Sequence, residues 1–260
     1  MSRTPTKAAQ KTPEDADQQI RMSFFRHVMT FRDGSIRHAA FQVNVDQTQL
    51  VYEIGGRKTF DVCGAKQVSV VGLEEKRAIT VVVAISGAGD LLPFQVIYTG
   101  KSNLSLPVPS TTGYTEAMKL GFKLCPSMTA NYWSTLELMQ EWVTTILVPY
   151  FKKKIVEHGI TSSQECVLQL DCWSVHRSDD SLKWMKTNFP WITLIFVPGG
   201  CTPLFQPCDT AMQKTLKHSV RKSQSEDVIE ETLTQLEEAV SPTLVRLDRS
   251  IPTLRNRTVR

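Results

Sequence analysis

The feature that most restricts the fold is a pair of short apolar runs, each of which leads to an acid. Val167-Leu168-Gln169-Leu170 runs into Asp171. Ile192-Thr193-Leu194-Ile195-Phe196-Val197 enters a Pro/Gly/Gln-rich turn that delivers Asp209. Short β-branched runs bounded by turn residues read as buried strands. Carboxylates just past the ends of such strands stand where open α/β sheets place their sites. Two acids alone are more often plain surface loop residues, so a third carboxylate has to decide the matter.

At 260 residues the chain is long enough for one substantial core with short appendages. Its 41% hydrophobic and 22% charged content is ordinary for a soluble globular protein. No apolar run has the length of a membrane span, so no membrane partner is expected. The N-terminus is polar rather than signal-like. Six cysteines (Cys63, Cys125, Cys166, Cys172, Cys201 and Cys208) lie scattered without a framework spacing, which favours a reducing compartment, nucleus or cytosol. The net charge of +4 says little about a nucleic-acid partner.

Residues 1–20 are Thr/Lys/Gln/Asp-rich with Pro5 and Pro13, and are expected to be disordered, within a polar N-terminal segment 1–38. The stretch 39–48 alternates Phe41, Val43 and Val45 with Gln42 and Asn44 before Asp46, which predicts a strand ending at that acid. Residues 53–76 read as a glycine-bearing excursion. A hairpin is predicted over 77–101, with a β-branched run at 79–85, a Gly87/Gly89 turn and a return at 94–98. In 131–151 the period becomes helical: Asn131 can cap, the Trp133-to-Leu147 stripe reads as core, and Pro149 should kink or end the helix. A Ser178-capped helix separates the two apolar strands. Pro207 opens a further helix that Asp209 joins, and Ser225 can cap a last helix closed by Ser241-Pro242. The final 18 or so residues lack periodicity and read as an irregular basic tail.

This order fits an α/β fold of the ribonuclease H type, a mixed five-stranded sheet with helices on both faces. One domain carrying these acids is expected over 39–225, with a C-terminal helix and basic tail at 226–260. Asp46 and Asp171 would then stand at adjacent strand ends, with Asp209 reaching them from the next helix. Three converging carboxylates repel one another unless a cation neutralises them. Hard oxygen-preferring ions, Mg²⁺ or Mn²⁺, suit such a cluster, and two of them suit phosphodiester displacement. Basic residues Lys214, Lys217, Arg221 and Lys222 follow Asp209 and are candidate phosphate contacts, although a solvated basic face is the simpler reading of charge alone.

The motifs VNVDQTQL (43–50), RAITVVVAISGAGDLLPFQVIYTGK (77–101), LDCWSVH (170–176) and VPGGCTPLFQPCD (197–209) resemble the catalytic domain of DDE-superfamily transposases, in the pogo/Tigger/jerky-like branch of the Tc1/mariner group. The likeness spans roughly 40–225, and the 38 positions separating Asp171 from Asp209 agree with the spacing usual there. It implies that Asp46, Asp171 and Asp209 are the catalytic, metal-binding triad, holding two Mg²⁺ or Mn²⁺ ions with no organic cofactor. Asn44 and Gln206 would support the flanking acids. His176 would lie near the second acid, with a capping or core histidine as the equal alternative. The implied activity is hydrolysis and strand transfer of DNA phosphodiesters in the nucleus, by a homodimer or higher assembly on DNA.

Two departures are visible. Many relatives carry Asn where this chain has Cys172, and a thiol lacks the amide's pair of donors. Residues 1–38 are also too short and polar for the N-terminal helix-turn-helix usual in the branch, so a core without its own targeting module is expected. A catalytically silent derivative acting as a nucleic-acid- or protein-binding module is therefore the main rival. A zinc module drawn from Cys166, Cys172, His176, Cys201 and Cys208 is disfavoured, because close-spaced CxxC pairs are missing.

Overall fold

Alternation along one long strand sets the layering of the molecule. In β1 (Gln42–Val51) the side chains of Val43 and Val45 enter one core, while Leu50 enters another on the opposite face. Asn44, Asp46 and Thr48 share the parity of Leu50 and so face its side of the sheet. The computed structural model describes residues 2–3, 12–33, 36–52, 59–60, 77–160, 163–238, 241 and 244–259. Apart from Thr59–Phe60, which pairs with Ser2–Arg3, the excursion expected over 53–76 lies outside the described residues.

Five more strands complete the main sheet: β2 (Ala78–Ser86), β3 (Gln95–Tyr98), β4 (Lys123–Pro126), β5 (Cys166–Leu170) and β6 (Ile192–Phe196). The strand order is β4-β3-β2-β1-β5-β6. The β1–β2 and β2–β3 pairs are antiparallel; the remaining neighbours are parallel. The sheet thus has six strands where five were expected. The extra one, β4, is a four-residue edge strand ending on Pro126, too short for its alternation to stand out.

One core packs β1, β2 and β5 against a long helical rod. The rod consists of α3 (Leu136–Trp142), a π segment (Val143–Leu147) and α4 (Val148–Glu157), and it centres on the fully buried Trp142, Leu147 and Phe151. Pro149 does not end this rod. The π segment widens the backbone just before it, so that the Val148 N–H reaches the Val143 carbonyl, and the ring is accommodated without a sharp break. The cap is Thr135, which accepts from the Leu138 N–H, rather than Asn131. Trp133 lies outside the helix and is 60% exposed, so it is not core.

On the other face, a π segment (Cys208–Met212) continues into α7 (Gln213–Glu237). Met212, Leu216 and Val220 pack there against the second core. Ser225 caps nothing, because α7 runs straight through it and its hydroxyl donates to the Arg221 carbonyl. The expected irregular tail instead forms α8 (Ile251–Asn256), whose Leu254 is buried in the second core, and the Tyr98 and Thr258 hydroxyls bond at 2.6 Å. Two smaller helices, α2 (Tyr114–Lys119) and α6 (Thr202–Phe205), lie in connections, and α5 (Asp179–Asn188) carries the expected Ser178 cap. Helix α1 (Ala16–Asp33) begins inside the stretch expected to be disordered. It is anchored by buried Ala16, Ser23 and His27, and the His27 ring meets Phe205 edge-on. No described helix is long and apolar enough to cross a membrane.

Candidate active site

The site is set by the point at which β1 and β5 part. Their parallel pairing covers only Gln42–Asn44 of β1, with Asn44 opposite Gln169. Beyond it, β1 stays bonded to β2 through Val51, while β5 ends at Leu170. Asp46 and Asp171 each lie two residues past that last pair, Asp46 on the α7 side of the sheet and Asp171 just beyond the end of β5. Asp46 is thus in the middle of its strand rather than at its end; it is the partner strand that stops.

The third acid is brought in by bonds to β1. The Asn44 amide donates to the Gln169 carbonyl at 3.4 Å, and its oxygen accepts from the Cys208 N–H at 2.9 Å. One side chain therefore ties both strands to the residue before Asp209. Fully buried Gln206 donates to the Val45 carbonyl at 3.3 Å, and the Cys208 thiol donates to the Asn44 and Val83 carbonyls. The Asp209 N–H closes the turn on the Gln206 carbonyl. Asn44 thus acts on the backbone flanking the acids, and Gln206 acts both there and on the Asp46 carboxyl.

Asp46 is 7% exposed, and burial pushes its carboxyl up to about 7. The Gln47 N–H, 2.9 Å from Oδ1, opposes that rise, whereas the negative charges of Asp171 and Asp209 add to it. Both other acids thus lie close enough for their charge to act on Asp46. Asp171 is more open, and its Oδ1 lies 2.7 Å from His176 Nδ1. His176 is itself buried, with the Trp173 ring edge-on at 5.1 Å. Cys172 donates its thiol to the Val197 carbonyl at 2.7 Å, so it serves the junction of β5 and β6.

One partner was not anticipated. The Gln213 amide donates to Asp46 Oδ2, and Lys217 Nζ lies 3.5 Å from Gln213 Oε1. Gln213 stands four residues after Asp209, and that helical spacing was the signal available in the sequence. Of the basic residues on α7, Lys217 turns toward the acids through Gln213, and Arg221 is half-buried. Lys222 pairs with Glu226 at 3.8 Å, and Lys214 is exposed.

The all-oxygen donor set and the repulsion it carries suit a hard divalent cation. As they stand, no three His, Cys, Asp or Glu side chains among the described residues close around a point that could hold one. Gln213 occupies one oxygen of Asp46 and His176 one of Asp171. Burial raises the Cys166 and Cys208 thiols to about 12, which opposes the thiolate form that zinc binding needs.

The sequence aligns with human "Pogo transposable element with KRAB domain" at 26% identity over 238 residues, covering 90% of this chain and 34% of that protein. It aligns with human "Pogo transposable element with ZNF domain" at 26% identity over 150 residues, covering 58% of this chain and 9% of that protein. The chain therefore spans about a third of the length of the first relative, and less of the second. In three dimensions it is similar to the protein of a pre-cleavage Mos1 transpososome, with a TM-score of 0.50 and 11% identity, over 97% of this chain and 64% of that one. That likeness, on the six-stranded sheet described above, bears out the ribonuclease H-like α/β fold. Residues 75–256, more than half of the sequence and including Asp171 and Asp209, match the DDE superfamily endonucleases, and the chain belongs to that family.

Proposed function

We propose that this domain is a divalent-metal-dependent DNA endonuclease, hydrolysing phosphodiesters and transferring strands, with Asp46, Asp171 and Asp209 as its catalytic acids. The reading is carried by the register that sets Asp46 and Asp171 two residues beyond the Asn44–Gln169 pair, with Asp46 on the face to which Asn44 ties the Cys208–Asp209 backbone. The three carboxylates are the groups that would hold Mg²⁺ or Mn²⁺, two ions in the fullest arrangement. Bound ions would supply positive charge to polarise the phosphodiester and lower the pKa of water.

The chain's own residues define the remaining roles. His176 orients Asp171 through the 2.7 Å contact, and Gln213 orients Asp46. For both acids to serve as ligands, Gln213 and His176 must yield or share the oxygens they now engage. Lys214, Lys217, Arg221 and Lys222 lie on α7, which begins beside the acids, and are assigned to DNA phosphates. The relatives and neighbours in hand concern transposable elements and a transpososome, and we extend to this chain DNA as substrate, assembly as a homodimer or larger complex, and action in the nucleus.

The test is Mn²⁺-dependent nicking of supercoiled DNA by wild type and by Asp171→Ala. Nicking by wild type alone supports the assignment; equal nicking by both, or none by either, sinks it. The occupied oxygen of Asp46 favours one other reading, a silent DNA-binding derivative. Salt-sensitive DNA binding with no nicking in any metal would establish that instead.

A further inference from the structure

Beside Asp171 the surface opens into a groove of about 290 Å³ lined by Gln47, Gln49, Tyr132, Trp133, Asp171 and Trp173, among others. Trp133 is 60% exposed, an unusual position for the largest apolar side chain. The backbone that carries it is nevertheless held in place. The Trp133 N–H donates to Asn131 Oδ1 at 3.0 Å, the Thr129 hydroxyl donates to the Asn131 carbonyl, and the Thr129 N–H donates to the Ser127 hydroxyl. Met128 at the start of this loop adopts a φ of 59°, a strained conformation for a side-chain-bearing residue. On the other wall His176, the partner of Asp171, packs against the Trp173 ring. Gln49 bridges the floor by donating to the Tyr132 hydroxyl at 2.8 Å. Aromatic surfaces, one of them on a hydrogen-bonded loop, therefore border a polar floor, and the groove runs directly onto one of the acids.

We propose that this groove binds one unstacked nucleobase of a DNA single strand, seated against Trp133 and Trp173, and so fixes the register of the strand on Asp171. The inference rests on DNA being the substrate, and it adds a site that reads a base rather than a phosphate. Its volume lies at the lower limit of ligand pockets, room for a single ring system rather than a duplex. Aromatic faces accept any base by stacking, while the amides of Gln47 and Gln49 offer donors and acceptors to its edge. An aliphatic or peptide ligand would not need two indoles and a phenol on a floor of glutamine and hydroxyl groups.

The test measures binding of fluorescein-labelled oligothymidylate, and of an abasic oligomer of equal length, by anisotropy in chelator, alongside Mn²⁺-dependent nicking. Wild type should bind oligothymidylate more tightly than the abasic strand. Trp133→Ala should weaken oligothymidylate binding about tenfold while leaving abasic binding unchanged, and Trp133→Phe should restore most of the loss. Trp133 is exposed, so the fold should persist in these variants, with circular dichroism melting as the control. Equal affinity of wild type and Trp133→Ala for oligothymidylate, equal affinity of wild type for both strands, or no binding at all overturns the proposal. If wild type still nicks DNA in that event, the endonuclease reading survives. If base-dependent binding is found without nicking in any metal, that reading fails and the groove stands.

Discussion

Asp46 and Asp171 stand in register across the same pair of strands, yet their surroundings differ. Asp46 is buried in mid-strand with one oxygen on the Gln47 N–H and the other on Gln213. Asp171 follows the last residue of β5, its side chain is 29% exposed, and its Oδ1 contacts His176. The difference lies in the strands, not in the residue type. Where β5 stops, Asp171 is open to solvent; where β1 continues, the protein encloses Asp46. One half of the site is thus fixed by the fold, while the other is open to whatever enters the groove.

The largest effect should come from removing either acid. Asp46→Ala and Asp171→Ala should both reduce Mn²⁺-dependent nicking to background, despite their unequal burial; substantial activity in either would break the pairing. Their supports should separate them next. Gln213→Ala and His176→Ala are each expected to weaken Mn²⁺ binding about 10- to 100-fold, read by calorimetry. A change confined to one of them would show which half of the site dominates the affinity.

The pH dependence isolates the enclosed half. Burial holds the folded-state pKa of Asp46 near 7, above the ordinary carboxylate value, so the folded protein keeps this proton longer than the unfolded chain. Ionising Asp46 therefore costs stability progressively as pH rises through the interval from about 4 to about 7. In chelator, Asp46→Asn should melt higher than wild type at pH 8, with the gap closing toward pH 5. Equal melting of Asp46→Asn and wild type at pH 8 would dissolve the contrast. The same protonation predicts tighter Mn²⁺ binding by wild type at pH 8 than at pH 6. Smallest of all, Lys217→Ala acts on Asp46 through Gln213, and a few-fold change in Mn²⁺ affinity is expected.

Much of this was legible because strand signals are local. The alternation of Phe41, Val43 and Val45, the β-branched run before Gly87, and the two apolar runs ending near Asp171 and Asp209 each carry their structure within a few residues. What escaped depends on contacts made across the fold. Asp46 was expected at a strand end because polar residues follow it, but β2 pairs with all of them. The docking of α8 through Leu254 has no periodic signature in so short a helix. The π segment before Pro149 shows the limit from another side: sequence locates the proline but not the widened turn that accepts it. Trp133 and Trp142 look alike in sequence and end on the surface and in the core, and only the start of the helix at Leu136 separates them.

Past Asn44, the β5 side of β1 presents carbonyl groups that no strand among the described residues covers. Glutamine amides meet them instead: Gln206 at Val45, Gln213 at Gln47, and Gln224 at Val51 and Tyr52. An uncovered strand edge invites pairing with other chains. Here the edge is stitched to α7 and its approach by side chains long enough to act as a surrogate strand, leaving intact the notch that a true neighbouring strand would have filled. The domain thereby keeps an opening at the centre of its sheet without exposing a template for aggregation.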